Sequence, residues 1–180
     1  MPKITLILHN IRSTHNVGAI FRTAEGFGVE QIILSGYTPY PKLPEQDRRL
    51  PHIADKLTQQ IHKTALGAEG MVSFEYVEDI ETWLIHNTLP LIALEQSPTS
   101  VMLPDITPPA EFALLLGEEV HGITPELLAR CDQTIEIPMF GQKESFNVSV
   151  AAGIALYALT ISAQHSLDRA ARAAGQQAFR

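Results

Sequence analysis

The sequence holds a single cysteine, Cys131. No internal disulfide can form, which fits a reducing, cytoplasmic setting, and the thiol is expected to be buried and inert. No run approaches the roughly 20 apolar residues that a membrane-spanning helix needs. Nothing resembles a signal peptide, because the first residues lead straight into a strand pattern. The seven histidines are scattered, with no pair at metal-ligand spacing, so no structural zinc and no other metal is expected. Basic charge is also scarce: 13 Lys and Arg stand against 20 Asp and Glu, for a net charge of −7. This disfavours a protein that coats nucleic acid through a uniformly basic surface, but a local grip on RNA stays open. Residues 1–52 carry six Lys/Arg against four acids, so an anion-facing surface is expected at that end. What is present is apolar: 45% of the 180 residues, enough for one domain with a sizeable core.

Strand and helix patterns alternate. Ile4–His9 reads as a buried strand rich in Ile and Leu. Asn16 is placed to cap a helix running to Phe27, in which Val17, Ile20, Phe21, Ala24 and Phe27 share one face. Gly28 ends that helix, and Val29–Leu34 is the next strand. The spacing then predicts a proline-bearing loop over Thr38–Pro51, a helix over Ile53–Leu66 and a strand over Val72–Val77. A helix over Glu78–Asn87 and a strand over Leu91–Leu94 follow, then a long loop over Ser97–Pro109. Phe112–Leu116 is a continuous apolar strand stopping at Gly117, and Thr124 caps a short helix with Pro125 at its first position. Thr134–Ile137 is a strand ended by Pro138, and a last helix runs from Asn147 to about Ala163. Alternation of this kind predicts an α/β domain over 1–163 with a mostly parallel sheet. In such sheets ligands gather beyond the carboxyl ends of the strands. Residues 164–180, rich in Ala, form a helical extension or a tail.

Three stretches place polar residues where apolar strands end. His9–Ala24 joins the first strand to the first helix. Asn16 there is either a plain cap, worth about 1 kcal/mol, or a functional group. Arg22 either pairs with Glu25 or leans back over Gly18, which leaves the first turn open, to clamp a phosphate at the helix N-terminus. Gly117–Gly122 ends the buried strand at Leu116. Its G-x-x-x-x-G lacks the Lys-Ser/Thr of a phosphate loop, which Ile123-Thr124 replaces, so a nucleotide hydrolase is disfavoured. Gly117 suggests a close backbone approach to a ligand. Glu118 and Glu119 are either solvated acids or hold a cationic partner. Ile137–Ser149 runs from a strand through a glycine-bearing loop into an apolar helix. Ser145 or Asn147 caps that helix, and one cap leaves the other residue unexplained. The helix itself is apolar nearly all round, so a sheet covers one face and a second subunit is expected on the other.

Together, and in this order, the three stretches resemble the SpoU (TrmH-type) family of RNA ribose 2′-O-methyltransferases, within the SPOUT superfamily. Asn10–Ala24 is similar to the first family motif and Leu116–Ile123 to the second. Ile137–Met139 with Ser145–Ala152 is similar to the third, and the resemblance covers roughly residues 4–162. It implies a trefoil-knotted α/β fold that binds S-adenosylmethionine in its knotted loops. It places Gly117, Ile137 and Phe146 in that pocket, with Leu94 and Met139 nearby. It assigns catalytic roles to Asn16, Arg22, Glu119, Ser145 and Asn147. Arg22 would contact the RNA phosphate and the ribose 2′-hydroxyl. Because arginine stays protonated in proteins, its expected part is to stabilise the developing alkoxide while phosphate or water takes the proton. Asn16, Ser145 and Asn147 would hold the nucleotide, and Glu119 would support the loop or orient Arg22. Phe146 stands where leucine is common, and Glu118 where asparagine or serine is more usual. Because strand patterning begins at residue 4, the extra N-terminal domain of larger members is not expected. RNA would then be gripped by the core of a homodimer, with Lys42, Arg48, Arg49 and the tail arginines as phosphate contacts. Small size favours tRNA over rRNA. The alternative is a non-catalytic RNA-binding or assembly protein that keeps the fold.

Overall fold

Ile4, Leu6, Ile7 and Leu8 are all buried in β1 (Lys3–His9), which therefore has no solvent face. Such a strand belongs in the middle of a parallel sheet covered on both sides. The computed structural model describes residues 1–161, so the expected extension over 164–180 lies outside the described residues. After β1 come α1 (Thr14–Gly26), β2 (Gln31–Ser35), α2 (Pro51–Ala65), β3 (Ser73–Val77) and α3 (Ile80–Leu84). Then follow β4 (Leu91–Leu94), β5 (Val101–Met102), β6 (Glu111–Leu116), α4 (Pro125–Leu128) and β7 (Gln133–Glu136). A last helix, α5, occupies 148–161.

The strands form one sheet in the order β3-β2-β1-β6-β4-β7-β5. Every pairing is parallel, with Leu6 opposite Ile32 on one side and Leu114 on the other. Two apolar layers follow from the strand period of two. Leu6, Leu8 and Leu114 pack with Phe21 of α1, Ile61 of α2 and Leu156 of α5. Ile7, Ile33 and Leu115 pack on the opposite face with Leu84 of α3 and Leu127 of α4.

The structure differs from the predicted elements at places where partners beyond the local sequence decide. Ser13, not Asn16, caps α1: its side chain accepts the Asn16 amide at 3.2 Å, which frees the Asn16 side chain. The short β5 lies inside the predicted long loop, because β7 offers it a free edge at Ile135. The helix predicted over Glu78–Asn87 is only α3. Asp79 caps it, and Asn87 instead closes a turn on Leu89. Gly18 does not keep space for Arg22. A Cβ there would lie 2.2 Å from the Ile61 carbonyl oxygen and 2.2 Å from Thr64 Oγ1, so this glycine lets α2 press against α1.

Arg49 is built into the fold and is not available to phosphate. It donates to Asp47, to the Tyr40 carbonyl at 2.8 Å and to the Pro41 carbonyl at 3.1 Å. It also lies 3.5 Å over the Tyr40 ring, which stacks on Tyr76. Lys42 pairs with Asp55 at 2.8 Å. Among the described residues, no helix is long and apolar enough to cross a membrane.

Candidate active site

Three neighbouring strands, β6, β4 and β7, end at the same edge of the sheet, and their last residues open into loops. Leu94 and Glu95, Leu116 and Gly117, and Glu136 and Ile137 stand at these ends. The loop after β7 and the first turn of α5 close the remaining side. The result is a cavity of about 540 Å³, within the usual range for a small-molecule site. Leu94, Gly117, Ile137, Met139 and Phe146, the residues expected at a cofactor, all line it. Glu119, Ser145 and Asn147 line it too.

Gly117 has a local reason to be glycine. A Cβ there would meet Ile123 Cγ1 at 2.5 Å and the Gly122 carbonyl carbon at 2.7 Å. The loop folds back on itself, with the Gly122 amide donating to the Glu118 carbonyl at 2.9 Å. Glu95 stitches this loop to β4 by accepting the Ile123 amide at 2.9 Å. Nothing in the sequence patterning singled out Glu95. Its place directly after a buried strand was the available signal.

Glu119 is the centre of the polar side of the site. Its carboxylate accepts the Arg12 amide at 3.0 Å, the Ser13 amide at 3.2 Å and the Asn16 side-chain amide at 3.1 Å. Burial pushes the carboxyl's pKa up, but these donors outweigh burial and hold it below its ordinary value. Asn16 Oδ1 in turn accepts from Asn147 Nδ2 at 3.2 Å. Asn147 Oδ1 accepts the Ser149 amide at 3.0 Å and so caps α5. One chain of hydrogen bonds therefore ties the first, second and third motifs together through Glu119, Asn16 and Asn147. Asn147 takes the capping part, and Ser145 is left exposed in the cavity wall.

The family model for the SpoU rRNA Methylase family matches residues 3–157. The chain belongs to this family. Among SpoU relatives it is 34% identical over 160 residues to a 23S rRNA (guanosine-2′-O-)-methyltransferase of Coxiella burnetii, covering 87% of this chain and 57% of the relative. It is 30% identical over 159 residues to a tRNA (guanosine(18)-2′-O)-methyltransferase of Escherichia coli, covering 87% of this chain and 62% of the relative. The chain thus spans less than two thirds of the length of these relatives. Its fold matches the crystal structure of an AdoMet-bound rRNA methyltransferase from Sinorhizobium meliloti, with a TM-score of 0.72 at 22% identity. That match covers 91% of this chain and 56% of the other.

Arg22 is exposed and does not line the cavity, and no ion pair to Glu25 forms among the described residues. Glu119 holds the N-terminus of α1 and does not bond Arg22. Arg12, which was not among the expected site residues, pairs its guanidinium with Glu118 at 3.2 Å. It stood inside the first motif, where its charge was the signal.

Proposed function

We propose that this protein transfers a methyl group from S-adenosylmethionine to a ribose 2′-oxygen of RNA. The observation that carries this reading is that the expected cofactor residues and Glu119, Ser145 and Asn147 line one cavity. The cavity's chemistry suits the donor. Leu94, Leu116, Ile137, Met139 and Phe146 offer an apolar slot for a purine, and Glu95, Glu118, Glu119, Glu136 and Glu144 offer negative charge for a sulfonium and an amino group. When bound, S-adenosylmethionine supplies an electrophilic methyl group whose leaving group is a neutral thioether. The remaining work is alignment and charge. Glu119 fixes Asn16, Asn16 fixes Asn147, and these amides with Ser145 hold the nucleotide sugar. The 2′-hydroxyl loses its proton to an RNA phosphate or to water, and Arg22 stabilises the alkoxide.

Arg22 follows Asn16 by six residues, roughly 9 Å along the helix axis at 1.5 Å per residue. It serves the reaction when RNA and a second copy meet the face shared by α1 and α5. A homodimer fits that face. Val150, Tyr157 and Ile161 are exposed on α5 and, with half-buried Ile154, form one apolar stripe at helical spacing. Threading of the segment after β6 through a loop of the chain, the expected knot, belongs to the same proposal and is supported by family membership. The cytoplasm is the proposed location, which fits a lone cysteine and an RNA substrate.

The names of the two relatives keep both tRNA and rRNA in view. A domain of this size covers a short stem-loop, so tRNA is the proposed substrate. The test is transfer of labelled methyl to total tRNA and to rRNA, with mapping of the modified ribose. Arg22→Ala should bind S-adenosylmethionine normally by calorimetry and lose transfer by orders of magnitude. A rate near wild type removes Arg22 from the mechanism. Absence of any binding heat in the wild type would favour the non-catalytic alternative.

A further inference from the structure

Two side chains beside the cavity are presented to solvent from a rigid backbone. Tyr37 is 55% exposed. Its amide donates to Asn10 Oδ1 at 3.2 Å, and the next residue, Thr38, is buried, with its hydroxyl donating to the Leu8 carbonyl at 2.9 Å. Asn10 and Gly36 both hold left-handed backbones, with φ of 60° and 65°. A Cβ on Gly36 would lie 1.9 Å from Asn10 Oδ1, so the turn cannot relax around a larger residue. Arg12 is fixed in a similar way. Its amide bonds Glu119, its Nη2 lies 3.2 Å from Glu118 Oε1, and its side chain remains 60% exposed. Only one of its five N–H donors is needed for that ion pair. Partial burial of the ring and the nearby Glu118 and Glu119 carboxylates raise the Tyr37 phenol above its ordinary pKa, with Arg12 opposing them. The Ile11 amide donates to Thr38 Oγ1 at 3.0 Å, so the Tyr37 turn lies directly against the segment that carries Arg12.

We propose that Tyr37 and Arg12 are the RNA-positioning pair at the rim of the site: an unstacked base lies on the Tyr37 ring and the adjoining phosphate meets Arg12. This rests on the methyltransferase reading. Among the described residues the cavity is lined by carboxylates and by no Lys or Arg, so it repels phosphate and the strand must be held at its edge. Unpaired RNA bases are recognised by stacking on aromatic rings, and guanidinium suits phosphate in a way a point charge does not. Both groups are held by backbone contacts, so side-chain substitutions leave the turn and the Glu119 anchor in place.

The experiment measures tRNA binding by fluorescence anisotropy, and methyl transfer at saturating S-adenosylmethionine over a range of tRNA concentrations. Tyr37→Ala should weaken RNA binding and raise the RNA KM by about tenfold, the loss expected for one base stack, with kcat little changed. Tyr37→Phe should retain wild-type values, because the ring and not the hydroxyl is used. Arg12→Ala should also raise the RNA KM and make binding less salt-sensitive. The double variant Arg12→Ala/Glu118→Gln should do the same, which excludes an effect of the carboxylate left unpaired. Calorimetric affinity for S-adenosylmethionine should stay at wild type in Tyr37→Ala, Tyr37→Phe and Arg12→Ala, whose side chains do not line the cavity. Unchanged RNA affinity in Tyr37→Ala, or a parallel loss of cofactor affinity, overturns the proposal. If RNA affinity falls as stated but the wild type transfers no methyl, the positioning pair stands and the methyltransferase reading fails.

Discussion

The two halves of the sheet end in loops of opposite kinds. At the carboxyl ends of β1, β2 and β3, polar groups are spent on one another. His9 Nδ1 meets Ser35 Oγ at 2.9 Å, Asn10 Nδ2 meets His9 Nε2 at 3.0 Å, and the Tyr76 hydroxyl donates to the Gly36 carbonyl at 2.8 Å. Burial holds the His9 imidazole below its ordinary pKa, with Asp79 pulling the other way. At the ends of β4, β6 and β7 the polar groups are carboxylates. They pin loop backbones and still border a cavity. The difference teaches that residue type does not separate structural from functional polarity. The number of partners already satisfied does.

The largest effect should come from the joint between the halves. Glu119→Ala removes the acceptor of three N–H groups and lets α1 drift from α5. A shift of about 1 Å at a reacting group costs roughly 100-fold, so transfer should fall by about that factor while thermal unfolding changes little. If transfer persists, the joint does not position the reaction.

The glycine pair sharpens the contrast next. Gly18→Ala drives a Cβ into α2 backbone and should destabilise the fold by about 2 kcal/mol, read as a lower Tm. Gly117→Ala meets only its own loop and Ile123, so it should weaken S-adenosylmethionine affinity in calorimetry more than it lowers Tm. Equal effects on Tm would erase the distinction between the halves.

Arg49→Ala should cost about 1–2 kcal/mol, a buried-pair figure discounted because both side chains keep some solvent contact. The Arg49 hydrogen bond, against burial, holds the Asp47 carboxyl far below its ordinary value of 3.8. Because the folded value is depressed, this pair contributes its full stability above pH 3.8 and loses it as pH falls toward the lower folded value. Acid unfolding curves should therefore be shallower below that pH in Arg49→Ala. The smallest effect concerns Cys131. Burial, with Asp132 adding to it, pushes its thiol up to about 11. Native protein at pH 8 should react with iodoacetamide far more slowly than unfolded protein, with little change in activity.

Much of the architecture was legible from residues alone. Continuous apolar strands such as Phe112–Leu116 and the Val17–Phe21–Ala24 helix face announce themselves by periodicity, and parallel order follows from alternation. The cavity lining was legible through the three motifs. The cap at Ser13, the strand at Val101–Met102 and the fate of Arg49 were not. Each depends on a partner far along the chain or on an edge that another strand leaves free.

By itself the sequence determined the alternating elements, the apolar layers and the residues gathered at one edge of the sheet, because burial follows from period and composition. Only the tertiary structure decided which of its polar groups remain open to a ligand. Gly18 answers to a carbonyl on α2, Arg49 to its own loop, and Asn16 to Glu119 across 103 residues of chain. Hydrogen bonds are satisfied in space, and that distance has no signature in local pattern.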